Sequence, residues 1–276
     1  QHALGATVFP FEFRAILVVP VLGLWGTFAE NGLGRFGKMF GRVMVVHQLL
    51  VIVVQRVVVD VTPQAASAIA QRQVEAGALG ICCATIREAE TMVDNGIPGV
   101  LITSPITSEA KIDRLVALHQ RAENLMVVVD DSLTVAAIST AHEKYGSHNQ
   151  LALLVDFDVG LQRTGARDAH AARKLARCIS DTEGLSFIGV QAYAGHLQHI
   201  EDFDKRFKQM AGQAERLRQA VSGLRTDGLA PKIITGGGTG TYDIDHRFNL
   251  FTELQAGSYL FTDIQYNAVH LSPKST

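Results

Sequence analysis

Short apolar runs alternate with amphipathic, charged segments from about residue 57 to the end of the chain. The segment SEAKIDRLVALHQRA puts Ile112, Leu115, Val116 and Leu118 on one stripe, which predicts a helix with one buried face. The runs with strand character are Val57–Val61, Leu79–Ala84, Gly99–Thr103, Leu125–Asp130, Leu151–Asp158, Ser186–Tyr193, Lys232–Thr235 and Gly257–Thr262.

Eight strands that alternate with helices predict an α/β fold, a parallel (β/α)8 barrel of the TIM type. A doubly wound open sheet is the alternative, because periodicity does not tell whether a sheet closes on itself. In such barrels the chemistry gathers at the carboxyl ends of the strands. The polar residues that follow each run are therefore the candidate site.

The first 56 residues do not follow this alternation. They are rich in glycine and sparsely charged, and their length fits one strand and one helix before the barrel. We therefore divide the chain into an unassigned N-terminal segment, 1–56, a barrel over 57–270 and a tail over 271–276.

Composition sets further limits. Hydrophobic residues make up 47% of 276, enough for a large core, and a net charge of −2 gives no reason to expect nucleic acid or an anionic membrane. Polar and charged residues interrupt the apolar stretch Val43–Val61, which favours buried strand over a spanning helix. The adjacent Cys82 and Cys83 predict buried free thiols. With no basic segment and apolar run typical of a signal peptide, we expect a cytoplasmic protein.

The stretch IITGGGTGTYDID, Ile233–Asp245, places four glycines around Thr239 directly after a predicted strand. Backbone N–H groups without neighbouring side chains converge well on an anion, and the Thr239 hydroxyl adds a donor, so this loop predicts a phosphate site. A tight turn from strand to helix is the structural alternative. The spacing fits neither a Walker loop nor a dinucleotide-binding fingerprint.

A second group of candidates lies in VQAYAGHLQH, where Tyr193, His196 and His199 follow a predicted strand. Two histidines three residues apart suit either a metal pair on a helical turn or an acid and a base. A lone histidine is more often structural, but two beside a tyrosine at a strand end make a functional role as reasonable as a structural one.

The third group lies in VDFDVGLQRTG. Asp156 and Asp158 share one face of a predicted strand, and Arg163 follows in a turn flanked by glycines. A permanently charged guanidinium suits an anionic oxygen or a ring heteroatom. A structural Asp–Arg pair is the alternative.

Together these segments resemble a known family. With TELQAGSYLFTD and IAQRQVEAGALGICCATIREAE, they look like the fold-type III pyridoxal phosphate enzymes of the D-threonine aldolase and D-3-hydroxyaspartate aldolase group, close to the eukaryotic-type D-serine dehydratases. The resemblance runs from about Ile69 to Tyr266. It implies an alanine-racemase-like barrel, a homodimer, a pyridoxal 5'-phosphate cofactor, a divalent metal (Mn, Mg, Co or Zn) and a C-terminal β-domain largely absent from this chain.

The resemblance also implies residue roles. His199 would be the base that takes the substrate's β-hydroxyl proton, and His196 a neighbouring or substrate contact. Arg163 would face the cofactor's phenolic oxygen, and Tyr193 would line the cofactor. The residues around the cofactor phosphate would be Gly237, Gly238, Thr239, Gly257, Ser258 and Tyr266.

Two departures from the family pattern stand out. The register of the lysine that links the cofactor falls on Thr62, and DVTPQAAS, residues 60–67, holds no lysine. The family's metal ligands lie in its C-terminal domain, so none can be placed here.

The resemblance implies a carbon–carbon lyase that cleaves a D-β-hydroxy-amino acid, of the D-threonine or D-3-hydroxyaspartate type, to glycine and an aldehyde or glyoxylate. Three alternatives stay open. They are a dehydratase of the same fold acting on D-serine or 3-hydroxyaspartate, a non-catalytic protein that binds pyridoxal phosphate, and a barrel enzyme for sugar phosphates.

Overall fold

The computed structural model describes residues 50–54, 63–146, 149–260 and 264–270. All of them belong to the second of two compact units, Leu49–Thr276; the first unit is Gln1–Gln48. The predicted strand Val57–Val61 and Thr62 lie outside the described residues, as do residues 1–49 and the tail 271–276.

The described strands form one closed parallel barrel whose spatial order is the order in the chain. The first strand pairs with both the second and the last, which closes the sheet and excludes the open alternative. The strands are β1 (Leu50–Val54), β2 (Ile81–Cys83), β3 (Val100–Ile102), β4 (Leu125–Val129), β5 (Leu151–Asp156), β6 (Leu185–Ala192), β7 (Ile233–Gly236) and β8 (Glu253–Gln255).

Helices connect the strands and surround the barrel. They are α1 (Pro63–Glu75), α2 (Ile86–Asp94), α3 (Glu109–His119), α4 (Ser132–Tyr145), α5 (Ala169–Ser180), α6 (Phe203–Thr226), α7 (Tyr242–Asp245) and α8 (Ile264–Ala268). Among the described helices, none is long and apolar enough to cross a membrane.

Side-chain caps fix where several helices begin. The carboxylates of Asp131, Asp168 and Asp202 each accept a hydrogen bond from the backbone N–H three residues on, at the starts of α4, α5 and α6. Thr85 and Glu88 form a reciprocal capping box at the start of α2. The caps at Thr85 and Asp131 come two residues after the ends of β2 and β4, whereas longer loops separate β5 and β6 from the caps at Asp168 and Asp202.

The core has two layers separated by the barrel wall. Outward-facing strand residues pack against helix faces, such as the α3 stripe in which Ile112, Leu115, Val116 and Leu118 are buried as predicted. A smaller apolar cluster fills the barrel interior and comprises Cys82, Leu101, Val128 and Leu154. The interior above this cluster is polar, and the candidate site begins there.

The prediction of the last strand was wrong. Residues Ser258–Leu260, within the predicted run Gly257–Thr262, form a turn of 3-10 helix, and the strand is Glu253–Gln255. Glu253 and Gln255 are both buried inside the barrel, so this strand lacks the continuous apolar run that was sought.

Candidate functional site

Buried polar side chains from four neighbouring strands meet inside the mouth of the barrel. Gln191 of β6 donates to Asp156 of β5 at 3.0 Å, and Gln255 of β8 donates to Gln191 Oε1 and to Thr235 Oγ1 of β7, each at 3.1 Å. Burial raises the pKa of Asp156, and the hydrogen bonds from Thr164 and Gln191 partly oppose that rise. We call Asp156, Gln191, Thr235 and Gln255 the polar floor.

The polar floor holds the loop that carries Arg163. Thr164 Oγ1 donates to Asp156 Oδ2 at 2.7 Å, and the Gly165 N–H donates to Asp130 Oδ2 at 3.2 Å. The exposed Arg163 directly precedes these two residues and lines a small cavity together with Asp156, Gln191 and Tyr193. Two predicted site residues, Arg163 and Tyr193, therefore come together over the polar floor.

The predicted Asp–Arg pair exists, but it uses a different arginine. Asp158 accepts from Arg167 Nη1 at 2.6 Å and from the backbone N–H groups of Gly160 and Gln162. Burial favours a higher pKa for Asp158, but the hydrogen bonds from Gln162, Gly160 and Arg167 outweigh it and lower the pKa. Arg163 is in no ion pair among the described residues, which leaves its guanidinium available to a ligand.

The two histidines lie just beyond β6. His196 is in a 3-10 turn, Gly195–Leu197, and both it and His199 are exposed. Burial lowers the pKa of His196, and the nearby Asp158 charge partly opposes this. The rings of His199 and Tyr266 pack edge to face, with centroids 4.4 Å apart. Among the described residues, no group of three or more possible metal ligands forms.

The glycine loop, Gly237–Thr241, leaves the end of β7 and leads into α7. Gly237 has φ +66°, in the left-handed region that side chains rarely adopt. A methyl group there would also meet the carboxylate of Asp245 and lie 2.8 Å from Leu254 Cδ2. This position therefore requires glycine on two independent grounds.

The loop fits a phosphate. Thr239 Oγ1 is buried and has no hydrogen-bond partner among the described residues. A buried hydroxyl without a partner is costly, and a phosphate oxygen would supply one. Next to it, a methyl group on Gly238 would lie 2.5 Å from Gln198 Oε1, so any larger residue would have to displace the Gln198 side chain.

The remaining predicted residues follow β8 or lie in α8. Gly257 and Ser258 follow β8, which neighbours β7 in the barrel, and Tyr266 lies in α8 against His199. Sequence reasoning singled out Asp156 of the polar floor but missed its partners Gln191 and Gln255, and it missed Gln198. Gln198 stands between the two histidines in the motif, but only its partner 42 residues later reveals a role.

One buried carboxyl below the polar floor makes a testable contribution to stability. Glu253 is 5% exposed, its Oε2 has no partner among the described residues, and burial raises its pKa from 4.5 to about 7. A raised pKa means that the folded state holds this proton more tightly than the unfolded state does. Stability is therefore lost as the pH rises from about 4.5 through about 7.

We expect Glu253→Gln to raise the melting temperature at pH 8 and to change it little at pH 5. Removing a penalty on the order of 2 kcal/mol corresponds to roughly 4–8 °C for a domain of this size. Thermal unfolding at pH 8 and pH 5 measures this change in melting temperature. Glu123→Gln, which makes the same change at an exposed position, is the control. An equal gain at both pH values would contradict the ionisation argument.

Comparison with known proteins assigns this barrel to a family. The family described as alanine racemase, N-terminal domain, matches residues 60–265. The chain belongs to that family. It is 36% identical over 194 residues to the 3-hydroxy-D-aspartate aldolase of Paracoccus denitrificans (strain Pd 1222), covering 70% of this chain and 50% of that protein. It is 38% identical over 201 residues to the D-threonine aldolase of an Arthrobacter species, covering 72% and 52%.

The solved structure of a relative supports this family assignment. The crystal structure of D-threonine aldolase from Filomicrobium marinum superposes with a TM-score of 0.71 at 35% identity, covering 76% of this chain and 56% of that one. The chain thus spans about half the length of the relatives that it matches. The predicted resemblance and the alanine-racemase-like barrel are confirmed, and pyridoxal phosphate is the cofactor expected of this family.

Proposed function

We propose that the protein is a pyridoxal phosphate-dependent aldehyde-lyase that cleaves a D-β-hydroxy-amino acid to glycine and an aldehyde or glyoxylate. The observation that carries this proposal is the unpartnered Thr239 hydroxyl in a glycine loop, one strand away from the turn with His199. The names of the aldolase relatives support the same reaction class.

The phosphate would lie against the glycine loop. Thr239 Oγ1 would donate to a phosphate oxygen, and the backbone N–H of Gly237 would approach closely because glycine carries no side chain of its own. Gly257 and Ser258, after the neighbouring β8, would complete this end of the cofactor site. When bound, the cofactor supplies an electron sink for the bond that breaks.

The other end of the site would orient the reacting groups. Arg163 would place a fixed positive charge against the cofactor's phenolic oxygen, since its loop is held from below by Asp156 through Thr164. Tyr193, which lines the same cavity, would contact the cofactor ring. These contacts would orient the cofactor without taking part in proton transfer.

His199 would accept the proton of the substrate's β-hydroxyl group. Loss of that proton lets the β-carbon become a carbonyl while the Cα–Cβ bond breaks, and a proton returned to Cα gives glycine. The edge-to-face contact with Tyr266 holds the imidazole in place and leaves it exposed to substrate. His196, one turn away, would contact the substrate.

The anchoring of the cofactor's aldehyde end is a separate matter. All described lysines are exposed, on helices or at the amino end of β7, so none lies at the carboxyl end of a strand. Thr62, where the family register puts the lysine, is outside the described residues. The residues that support cofactor binding here are those for the phosphate and the ring, and a non-catalytic binding protein stays the rival function.

The metal and the homodimer remain predictions from the resemblance. The described residues offer no set of three ligands for a divalent metal, so no step of the proposed reaction runs through one. A small-molecule substrate is consistent with the relatives, and the cytoplasmic location stays a prediction from the sequence.

Product analysis tests the proposed reaction. With pyridoxal phosphate, with and without Mn²⁺, we expect D-threonine and D-3-hydroxyaspartate to release glycine and L-threonine to release none. A keto acid plus ammonia in place of glycine would make the protein a dehydratase. Cofactor binding without any product would support the non-catalytic alternative.

A further inference from the structure

Gln198 lies in the turn between the two histidines and is 1% exposed. Its Oε1 accepts from the Gly240 N–H at 2.9 Å, and its Nε2 donates to Thr241 Oγ1 at 2.9 Å. Thr241 Oγ1 in turn donates to Asp245 Oδ2 at 2.6 Å. Since the Gly240 N–H can only donate, Oε1 must face it, and the direction of the whole chain of bonds is fixed.

The two loops also pack closely against each other. A methyl group on Gly240 would overlap the Gln198 backbone carbonyl, and one on Gly238 would lie 2.5 Å from Gln198 Oε1. Backbone carbonyls do not move aside cheaply, so this contact fixes the distance between the loops. Two of the glycines that predicted a phosphate site are thus required by Gln198 itself.

A buried amide is well suited to holding the two loops together. Leaving either Gly240 or Thr241 without its partner inside the protein would cost about 1–3 kcal/mol, so the two loops separate only at a clear penalty. In the described part of the chain, Gln198 is the side chain of the turn 195–199 that hydrogen-bonds to the glycine loop. Gln198 is therefore the connection between the proposed phosphate cradle and the turn that leads to His199.

We propose that Gln198 is a positioning residue that fixes the glycine loop against the histidine turn, and so sets the spacing between a bound phosphate and His199. This inference rests on the proposed function for the role of His199. Gln198 touches neither the substrate nor the reacting atoms; it acts through Gly240 and Thr241 on one side and through its neighbour His199 on the other.

Gln198→Met tests the proposal because it keeps the length of the side chain and removes both hydrogen bonds. We expect its affinity for pyridoxal phosphate to fall roughly 10- to 100-fold, and its affinity for pyridoxal, which has no phosphate, to stay within about twofold. At saturating cofactor we expect kcat for glycine release to fall about 10-fold with KM little changed, since binding of the substrate itself is untouched.

Thr241→Val serves if the first variant folds poorly, because it keeps the shape and the bond between Gln198 and Gly240 while it removes the two bonds of the Thr241 hydroxyl, from Gln198 and to Asp245. Its affinity for pyridoxal phosphate and its kcat should also fall, but by less than in Gln198→Met. The double variant should lose less than the sum of the two single losses, because both side chains belong to one chain of hydrogen bonds. Ile138→Val in α4, fully buried and remote from the loop, is the control for a general loss of stability.

The outcomes separate this inference from the proposed function. Equal losses for pyridoxal phosphate and pyridoxal, or a pattern like that of Ile138→Val, would overturn the role of Gln198. If the unchanged protein binds pyridoxal phosphate but releases no glycine, the proposed reaction fails, and the affinity comparison still decides whether Gln198 sets the loop. If it binds neither pyridoxal phosphate nor inorganic phosphate, both proposals fall.

Discussion

Replacing His199 with asparagine should lower the rate of glycine release about 10²- to 10⁴-fold, the usual contribution of a positioned general base. Asparagine keeps a polar side chain of similar size but does not accept a proton near neutral pH. The side chain is exposed beside Tyr266 and outside the glycine loop, so binding of pyridoxal phosphate should not change. Steady-state assays with D-threonine and a spectroscopic titration with the cofactor measure the two effects.

His196→Asn is the matched control, because it makes the same change one turn away. Its fall in kcat should be about 10-fold or less, as expected of a residue that contacts substrate without taking the proton. If the ranking of the two variants were reversed, His196 would be the base. Its pKa, lowered by burial, would then favour the neutral form needed to accept a proton.

The alternation of apolar residues was enough to predict most of the barrel, because burying strands and helix faces requires that pattern. It placed β2 to β7 and the buried stripe of α3. It failed at β8, where Glu253 and Gln255 point into a polar interior. A strand whose inward side chains serve a site cannot be found from hydrophobicity.

The sequence predicted those site residues that lie within one short motif, but not the contacts between residues far apart in the chain. Local motifs singled out Arg163, Tyr193 and the histidines, which the structure places at one end of the barrel. The polar floor joins residues up to 64 positions apart, and no motif encodes such pairs. The arginine that pairs with Asp158 is Arg167 rather than Arg163, which only the folded loop decides.

The second large effect is expected at the glycine loop. Gly237→Ala forces a side chain into a left-handed conformation, costing roughly 1–2 kcal/mol, and presses its methyl group against Asp245. The loop would relieve this strain by moving away, so the conformation that binds phosphate becomes a minor population. Affinity for pyridoxal phosphate should then fall roughly 10- to 100-fold, as a titration with the cofactor would show.

Gly212→Ala in α6 makes the same chemical change with no atom within 4 Å of the new methyl group. It should raise stability by up to about 1 kcal/mol and leave cofactor affinity unchanged. The comparison also separates the phosphate site from a merely tight turn. A tight turn would lose stability in Gly237→Ala, with equal small changes in affinity for pyridoxal phosphate and pyridoxal. A phosphate cradle loses affinity for the phosphorylated form alone, because only that form depends on the backbone N–H groups that the displaced loop carries.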